Sequence, residues 1–150
     1  MTFDIDGLLD LWTRRHASMA VAVDAFRRFY TDPVVVNGAS LTAEDLVERA
    51  VALQGAFEDV HREVLEVCDA GAQVAVAFRL AGRHVGPFGT SAGVLEATGQ
   101  HLALRVIDIL TLTEGRISAI TMVADELGAL APLDAAVLLQ PAGPFPQSAP

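Results

Sequence analysis

Gly115-Arg116-Ile117-Ser118-Ala119-Ile120-Thr121-Met122-Val123-Ala124-Asp125-Glu126-Leu127-Gly128 reads as a hairpin turn, a mostly apolar strand, and a carboxylate where the strand runs out. Asp125 has two readings. A carboxyl group at the end of so apolar a strand fits the mouth or floor of a cavity, where burial raises its pKa and suits it to proton transfer. The same residue type also caps helical segments, and Glu126-Leu127-Gly128-Ala129-Leu130 is such a segment.

Working outward from this stretch, Gln100 to Thr113 pairs with Arg116 to Asp125 across Glu114-Gly115. A second hairpin precedes it, Val60 to Cys68 against Gln73 to Val85 across Asp69-Ala70-Gly71-Ala72. Upstream the period changes. Leu8, Leu9 and Trp12 give helical spacing from Ile5 through His16, and Val21, Val23, Phe26 and Phe29 continue it from Met19. Thr31-Asp32-Pro33 ends that helix, and Val34-Val35-Val36 is a short strand closed by the turn pair Asn37-Gly38. Thr42 with an acid three residues on, Asp45, predicts a capped helix to about Phe57. Helices followed by a meander of long antiparallel strands predict an α+β fold. A curved sheet with helices across it leaves a natural pocket between the layers. Residues 1–130 are expected to form a single domain. Residues 131–150 would be a C-terminal segment with a short apolar helix near Ala135 to Leu139 and a Pro-rich disordered tail.

The 150 residues can bury a core without disulfides or metals. Hydrophobic residues make up 52%, yet no uninterrupted apolar run is long enough to cross a bilayer, so no membrane partner is expected. Met1-Thr2-Phe3-Asp4 lacks the basic start of a signal peptide, which predicts a cytoplasmic protein. A net charge of −9 argues against a nucleic-acid partner, whose phosphates would be repelled. Cys68 is the only cysteine, and no Cys/His cluster has the spacing of a metal site.

Strand alternation sorts the residues that could line the pocket. If Ala70-Gly71 centres the first turn, Val74, Val76, Phe78 and Leu80 face inward with Leu65 and Val67, while Arg62, Glu66 and Arg79 face outward. Continued alternation puts His84 inside. Centring the second turn on Glu114-Gly115 sets Leu104 opposite Asp125 and Asp108 opposite Thr121, with both acids on one face. A one-residue change of register reverses that division. Tyr30 and Asn37 offer a phenol and an amide, or else serve as core and turn residues.

The chain resembles the SnoaL-like polyketide cyclase and ester cyclase group of the nuclear transport factor 2-like superfamily. The resemblance rests on Phe29-Tyr30-Thr31-Asp32-Pro33-Val34-Val35-Val36-Asn37-Gly38, Arg83-His84-Val85-Gly86-Pro87-Phe88-Gly89, Ala97-Thr98-Gly99, Val106-Ile107-Asp108-Ile109 and the opening stretch. It implies a cone of helices on a curved, mostly antiparallel sheet, a deep apolar pocket, and homodimers formed through the outer sheet face. It also implies that Asp125 shuttles a proton during an intramolecular aldol closure, without metal or cofactor. His84, beside the Gly-Pro loop, would be a second catalytic group or else a histidine hydrogen-bonded structurally at a strand end. Phe78, Phe88, Leu104 and Val106 would line the pocket with Asp108, Thr121 and Val123. The expected ligand is an apolar, oxygenated small molecule.

Departures from the family pattern matter. Ala119, Ile120 and Thr121 stand where Glu, His and Trp are common, so the pocket should be drier and its acid's pKa higher still. Thr90 to Glu96 is longer than its counterpart and suits a flap over the pocket mouth or a solvated loop. The isomerase branch would need an Asp near Asn37 and Gly38. The limonene-epoxide hydrolase branch matches at Arg79 and Asp125 but has Ala81 where it needs a second Asp. The leading expectation is a cofactor-independent cyclase or isomerase of natural-product biosynthesis. The alternatives are an epoxide-opening enzyme and a non-catalytic dimer that binds a hydrophobic ligand.

Overall fold

The computed structural model describes residues 2–133. The C-terminal helix and tail expected beyond them lie outside the described residues. The chain begins with α1 (Ile5–Thr13) and α2 (Met19–Phe29), then runs through β1 (Tyr30–Val36), β2 (Ala39–Leu41) and α3 (Ala43–Ala56). The long strands β3 (Phe57–Asp69) and β4 (Gln73–His84) follow, then a small hairpin of β5 (Phe88–Thr90) and β6 (Gly93–Leu95). The chain closes with β7 (His101–Thr113), β8 (Arg116–Ala124) and the short α4 (Glu126–Leu130).

Each boundary has a local cause. Asp4 and Ser18 accept the amides of Gly7 and Val21 and so cap α1 and α2. Thr42 and Asp45 form a reciprocal capping box on α3. α1 is shorter than expected and stops at Thr13 because Arg14 turns extended. Asn37 and Gly38 both have positive φ, 48° and 84°, the combination a tight hairpin needs between β1 and β2.

The six-stranded sheet has the order β2-β1-β8-β7-β4-β3. β1 runs parallel to β8, and every other pairing is antiparallel. The helices cover its concave face. Leu8, Leu9, Phe26, Leu46 and Val47 pack there against Val74, Val76, Val106, Leu110 and Ile117 in one cluster. This is the helix-on-curved-sheet α+β architecture of the cone fold.

Two bulges correct the alternation read from sequence. In β8, Leu112 pairs with Ile117 but Thr111 pairs with Ala119, so Ser118 is an extra residue. Its hydroxyl is held by Thr113 Oγ1 at 2.8 Å and by the Thr111 carbonyl at 3.3 Å. Beyond this point every partner shifts by one. Asp108 lies opposite Met122, and Thr121 opposite Ile109. In β3, Val64 pairs with Phe78 and Glu66 with Ala77, leaving Leu65 as the extra residue. Leu65 is accordingly half-exposed rather than core, while Val67 pairs with Val76 and keeps the inward row, half-exposed on the edge strand. Arg62 pairs with Leu80 and so falls on the concave side, where it meets Asp6 at 3.0 Å and Asp10 at 2.8 Å on α1. The expected outward placement of Arg62 fails for that reason. Glu66 and Arg79 keep the outward one.

Candidate active site

An apolar cleft opens at one end of the concave face. Phe57 and Val60 of β3, Leu80 and Gly82 of β4, and Leu102 and Leu104 of β7 form its floor, with Phe88 and Ala129 at the rim. It spans about 460 Å³ including its open mouth. Phe88 belongs to the β5–β6 hairpin, which is the form taken by the segment expected to be a flap. Ser91 at its tip donates both its amide and its hydroxyl to Glu126 of α4.

Asp108 lies further along the same face of β7, about 13 Å past Leu104 for an extended strand. It sits between Val76 of β4 and Met122 of β8. Alternation puts Leu102, Leu104, Val106 and Leu110 on the same side, and all are buried or partly so. One Asp108 oxygen, Oδ1, is buried without a hydrogen-bond partner among the described residues. Burial pushes this carboxyl up to about 6. Nearby in the core, the Tyr30 hydroxyl accepts the Trp12 indole N–H at 2.8 Å. Burial drives the Tyr30 phenol well above its ordinary range, and the Asp108 charge adds to the rise.

Asp125 is placed differently. Its Oδ1 accepts the Gly128 amide at 2.9 Å as the N-cap of α4, and its Oδ2 meets Arg105 at 3.1 Å. The side chain is 41% exposed. The Gly128 amide, then Arg105, holds this carboxyl below its usual range, the reverse of the expected rise. The Ser118 bulge explains the difference, because it puts Asp108 and Asp125 on opposite sides of the sheet. We expect Asp125→Ala to lower the urea midpoint through the lost cap, and Asp125→Asn, which keeps a capping oxygen, to leave it nearly unchanged.

His84 is fully buried, as alternation predicted. It lies at the far end of β4 from Val76, so the fold does not bring it to Asp108. Of the other candidate residues, Leu104 and Phe88 line the cleft. Phe78 and Val106 are buried in the core between the cleft and Asp108. Asn37 is engaged elsewhere: its side chain accepts the Met122 amide at 2.8 Å and donates to the Met122 carbonyl at 3.1 Å. Thr121 and Val123 fall on the convex face, again through the Ser118 bulge. Arg79 pairs with Glu63 on that face, not with Asp125, so the epoxide-hydrolase pairing is not assembled. Among the described residues no group of three or more His, Cys, Asp or Glu side chains could hold a metal ion. No helix among them is long and apolar enough to cross a membrane.

The family model for SnoaL-like polyketide cyclases matches residues 8–133. The chain belongs to this family. Solved structures agree on the nuclear transport factor 2-like fold. A candidate SnoaL-like polyketide cyclase from Jannaschia sp. CCS1 is 19% identical, with a TM-score of 0.66, over 91% of this chain and 92% of its own. IdmH, a candidate polyketide cyclase from Streptomyces antibioticus, is 18% identical, with a TM-score of 0.65, over 85% of this chain and 93% of its own. TsrD from Streptomyces laurentii is 16% identical, with a TM-score of 0.66, over 89% and 99%. No curated protein matches the sequence significantly. Membership of the SnoaL-like family supports a cyclase or isomerase role. The chemistry itself is decided by the site and not by the fold.

Proposed function

We propose that this SnoaL-like protein closes a ring in an apolar, oxygenated, polyketide-type substrate inside the cell, with Asp108 as general acid and base. The observation that carries this reading is a concave-face carboxyl group with a buried oxygen that no described residue partners. A carboxyl poised near pH 6 changes protonation state at little cost around neutrality, which general acid–base catalysis requires. As carboxylate, Asp108 takes a proton from carbon next to a substrate carbonyl. The enolate so formed attacks a second carbonyl of the same molecule and makes the carbon–carbon bond. The carboxylic acid then returns the proton to the new alkoxide. Surrounding Val, Leu and Phe side chains exclude water that would otherwise quench the enolate.

A second reading keeps Asp125 as the proton carrier. It is favoured by α4, whose cap is Asp125 and whose Ala129 lines the cleft rim. A series of linear poly-β-ketone thioesters, assayed by chromatography and mass spectrometry, separates the two. Loss of cyclised product in Asp108→Asn with turnover kept within twofold in Asp125→Asn supports the first reading, and the opposite pattern supports the second. Substrate bound but unaltered by the wild type would instead make this a ligand-binding protein, a reading favoured by the apolar Ala119 and Ile120.

The convex face also suits a second copy of the chain. Ile107, Ile109 and Val123 are exposed there at 53%, 42% and 66%. Sedimentation equilibrium is expected to give twice 15.8 kDa, and Ile107→Arg with Val123→Arg to give the single-chain mass. A wild type that sediments as one chain at micromolar concentration would rule the homodimer out.

A further inference from the structure

His84 ends the inward row of β4, and its ring packs against Phe57 and Phe88, with centroids 5.6 and 6.3 Å away. Both phenylalanines line the cleft. Its Nδ1 meets two donors from one residue. The Thr98 amide lies 3.2 Å away, and an amide nitrogen only donates, so Nδ1 must accept. Thr98 Oγ1 is 3.0 Å from the same nitrogen. That oxygen already accepts the Gln100 amide at 3.3 Å, which leaves its own hydrogen for Nδ1. An imidazole whose Nδ1 accepts carries its hydrogen on Nε2. Nε2 is buried with no partner among the described residues. A buried donor without an acceptor is destabilising, so one retained between two cleft-lining rings needs an acceptor from outside.

We propose that the end of the cleft walled by Phe57 and Phe88, with His84 buried against both rings, is an anchoring subsite for an acceptor oxygen on an otherwise apolar ligand, such as a ketone, ester or aldehyde carbonyl. Thr98 is the positioning residue that fixes His84 in its Nε2–H tautomer. The subsite is separate from Asp108: His84 lies about 26 Å along an extended strand from Val76, the β4 neighbour of that acid. Water excluded by the aromatic walls would otherwise compete for the same N–H, so burial strengthens the contact.

Long-range proton–nitrogen correlation spectra of 15N-labelled protein read which ring nitrogen carries the hydrogen, with His84→Phe identifying the signal. Hydrogen on Nε2 is expected, and hydrogen on Nδ1 overturns the proposal. Acetophenone and ethylbenzene then probe the subsite, since they differ chiefly in the carbonyl oxygen. An apolar cleft without a donor would prefer ethylbenzene, because a carbonyl loses its water on entry. The wild type is expected to bind acetophenone about tenfold more tightly than ethylbenzene, with the bound carbonyl stretch at lower frequency. His84→Phe should reverse the preference and abolish the frequency shift. Thr98→Val should weaken acetophenone alone, by about threefold. Equal loss of both probes would make Thr98 merely structural and overturn its positioning role. Equal wild-type affinity for the two probes, or no binding of either, overturns the subsite. Turnover is not read in these experiments, so their outcome is independent of the Asp108 assay.

Discussion

Asp108→Asn is expected to abolish ring closure and to leave a more stable protein. Removing a general acid–base group costs about a hundredfold to ten-thousandfold in turnover. Stability moves the other way, for a reason that can be signed. The Asp108 carboxyl titrates at about 6 in the fold, against 3.8 for an unperturbed group. Below pH 4 both folded and unfolded chains hold the proton, and the group is neutral in each. Between pH 4 and 6 the unfolded chain releases it first, so the wild type loses stability as pH rises. Above pH 6 the loss is complete. Two pKa units correspond to at most about 3 kcal/mol, or a rise in Tm of about 2–4 °C per kcal/mol in the variant. Urea unfolding of both proteins from pH 4 to 8 should show curves that coincide at the acid end and separate by pH 6. A variant less stable than the wild type at every pH would mark Asp108 as a structural group and remove the chief support for its catalytic role. Activity that needs a destabilising buried group is a familiar trade-off.

Gly86→Ala is expected to be the most damaging conservative change near the cleft. A Cβ on Gly86 would lie 2.3 Å from the Gly55 carbonyl oxygen and 3.2 Å from its carbon, both backbone atoms. The approach is held by the Val85 and Gly86 amides, which donate to the Ala56 carbonyl at 2.8 and 3.2 Å. No side-chain rotation relieves the contact, so the loop must part from the end of α3. The expected loss is about 3 kcal/mol, together with displacement of His84 and Phe88 on either side. Gly89→Ala is the control. Nothing lies within 4 Å of its Cβ position, and the change should stay within about 0.5 kcal/mol. Equal melting temperatures for the two variants would show that the Gly55–Gly86 contact does not constrain the loop.

Much of this protein was legible because local signals agreed. Thr42 and Asn37-Gly38 marked a helix start and a turn that the structure keeps. The burial of His84 followed from alternation alone, since β4 carries no extra residue of its own. What misled was the assumption of unbroken alternation in β3 and β8. The correcting signal was present in spacing. Ile117 and Ile120 stand three apart, and so do Val64 and Val67, a separation that cannot put both members on one face of a regular strand. Only an extra residue between them reconciles the pair, and Ser118 and Leu65 are those residues. Thr98 was visible within a motif, but nothing in its neighbours shows that its amide meets a ring fourteen residues earlier in the chain.

The α+β order of elements, the Thr42 cap of α3, the Asn37-Gly38 turn and the resemblance to the SnoaL-like family are all written in the linear chain. Those features depend on contacts between near neighbours and on long periodic patterns, which a linear reading captures. The tertiary structure alone decided which acid faces the interior. With a side-chain period of two, one bulged residue exchanges the faces of everything beyond it. It left Asp108, on the unbroken β7, facing the core and turned Asp125 away to cap α4 beside Arg105. The same bulge moved Thr121 and Val123 to the convex face. Burial then shifted one carboxyl upward, and two hydrogen bonds shifted the other downward.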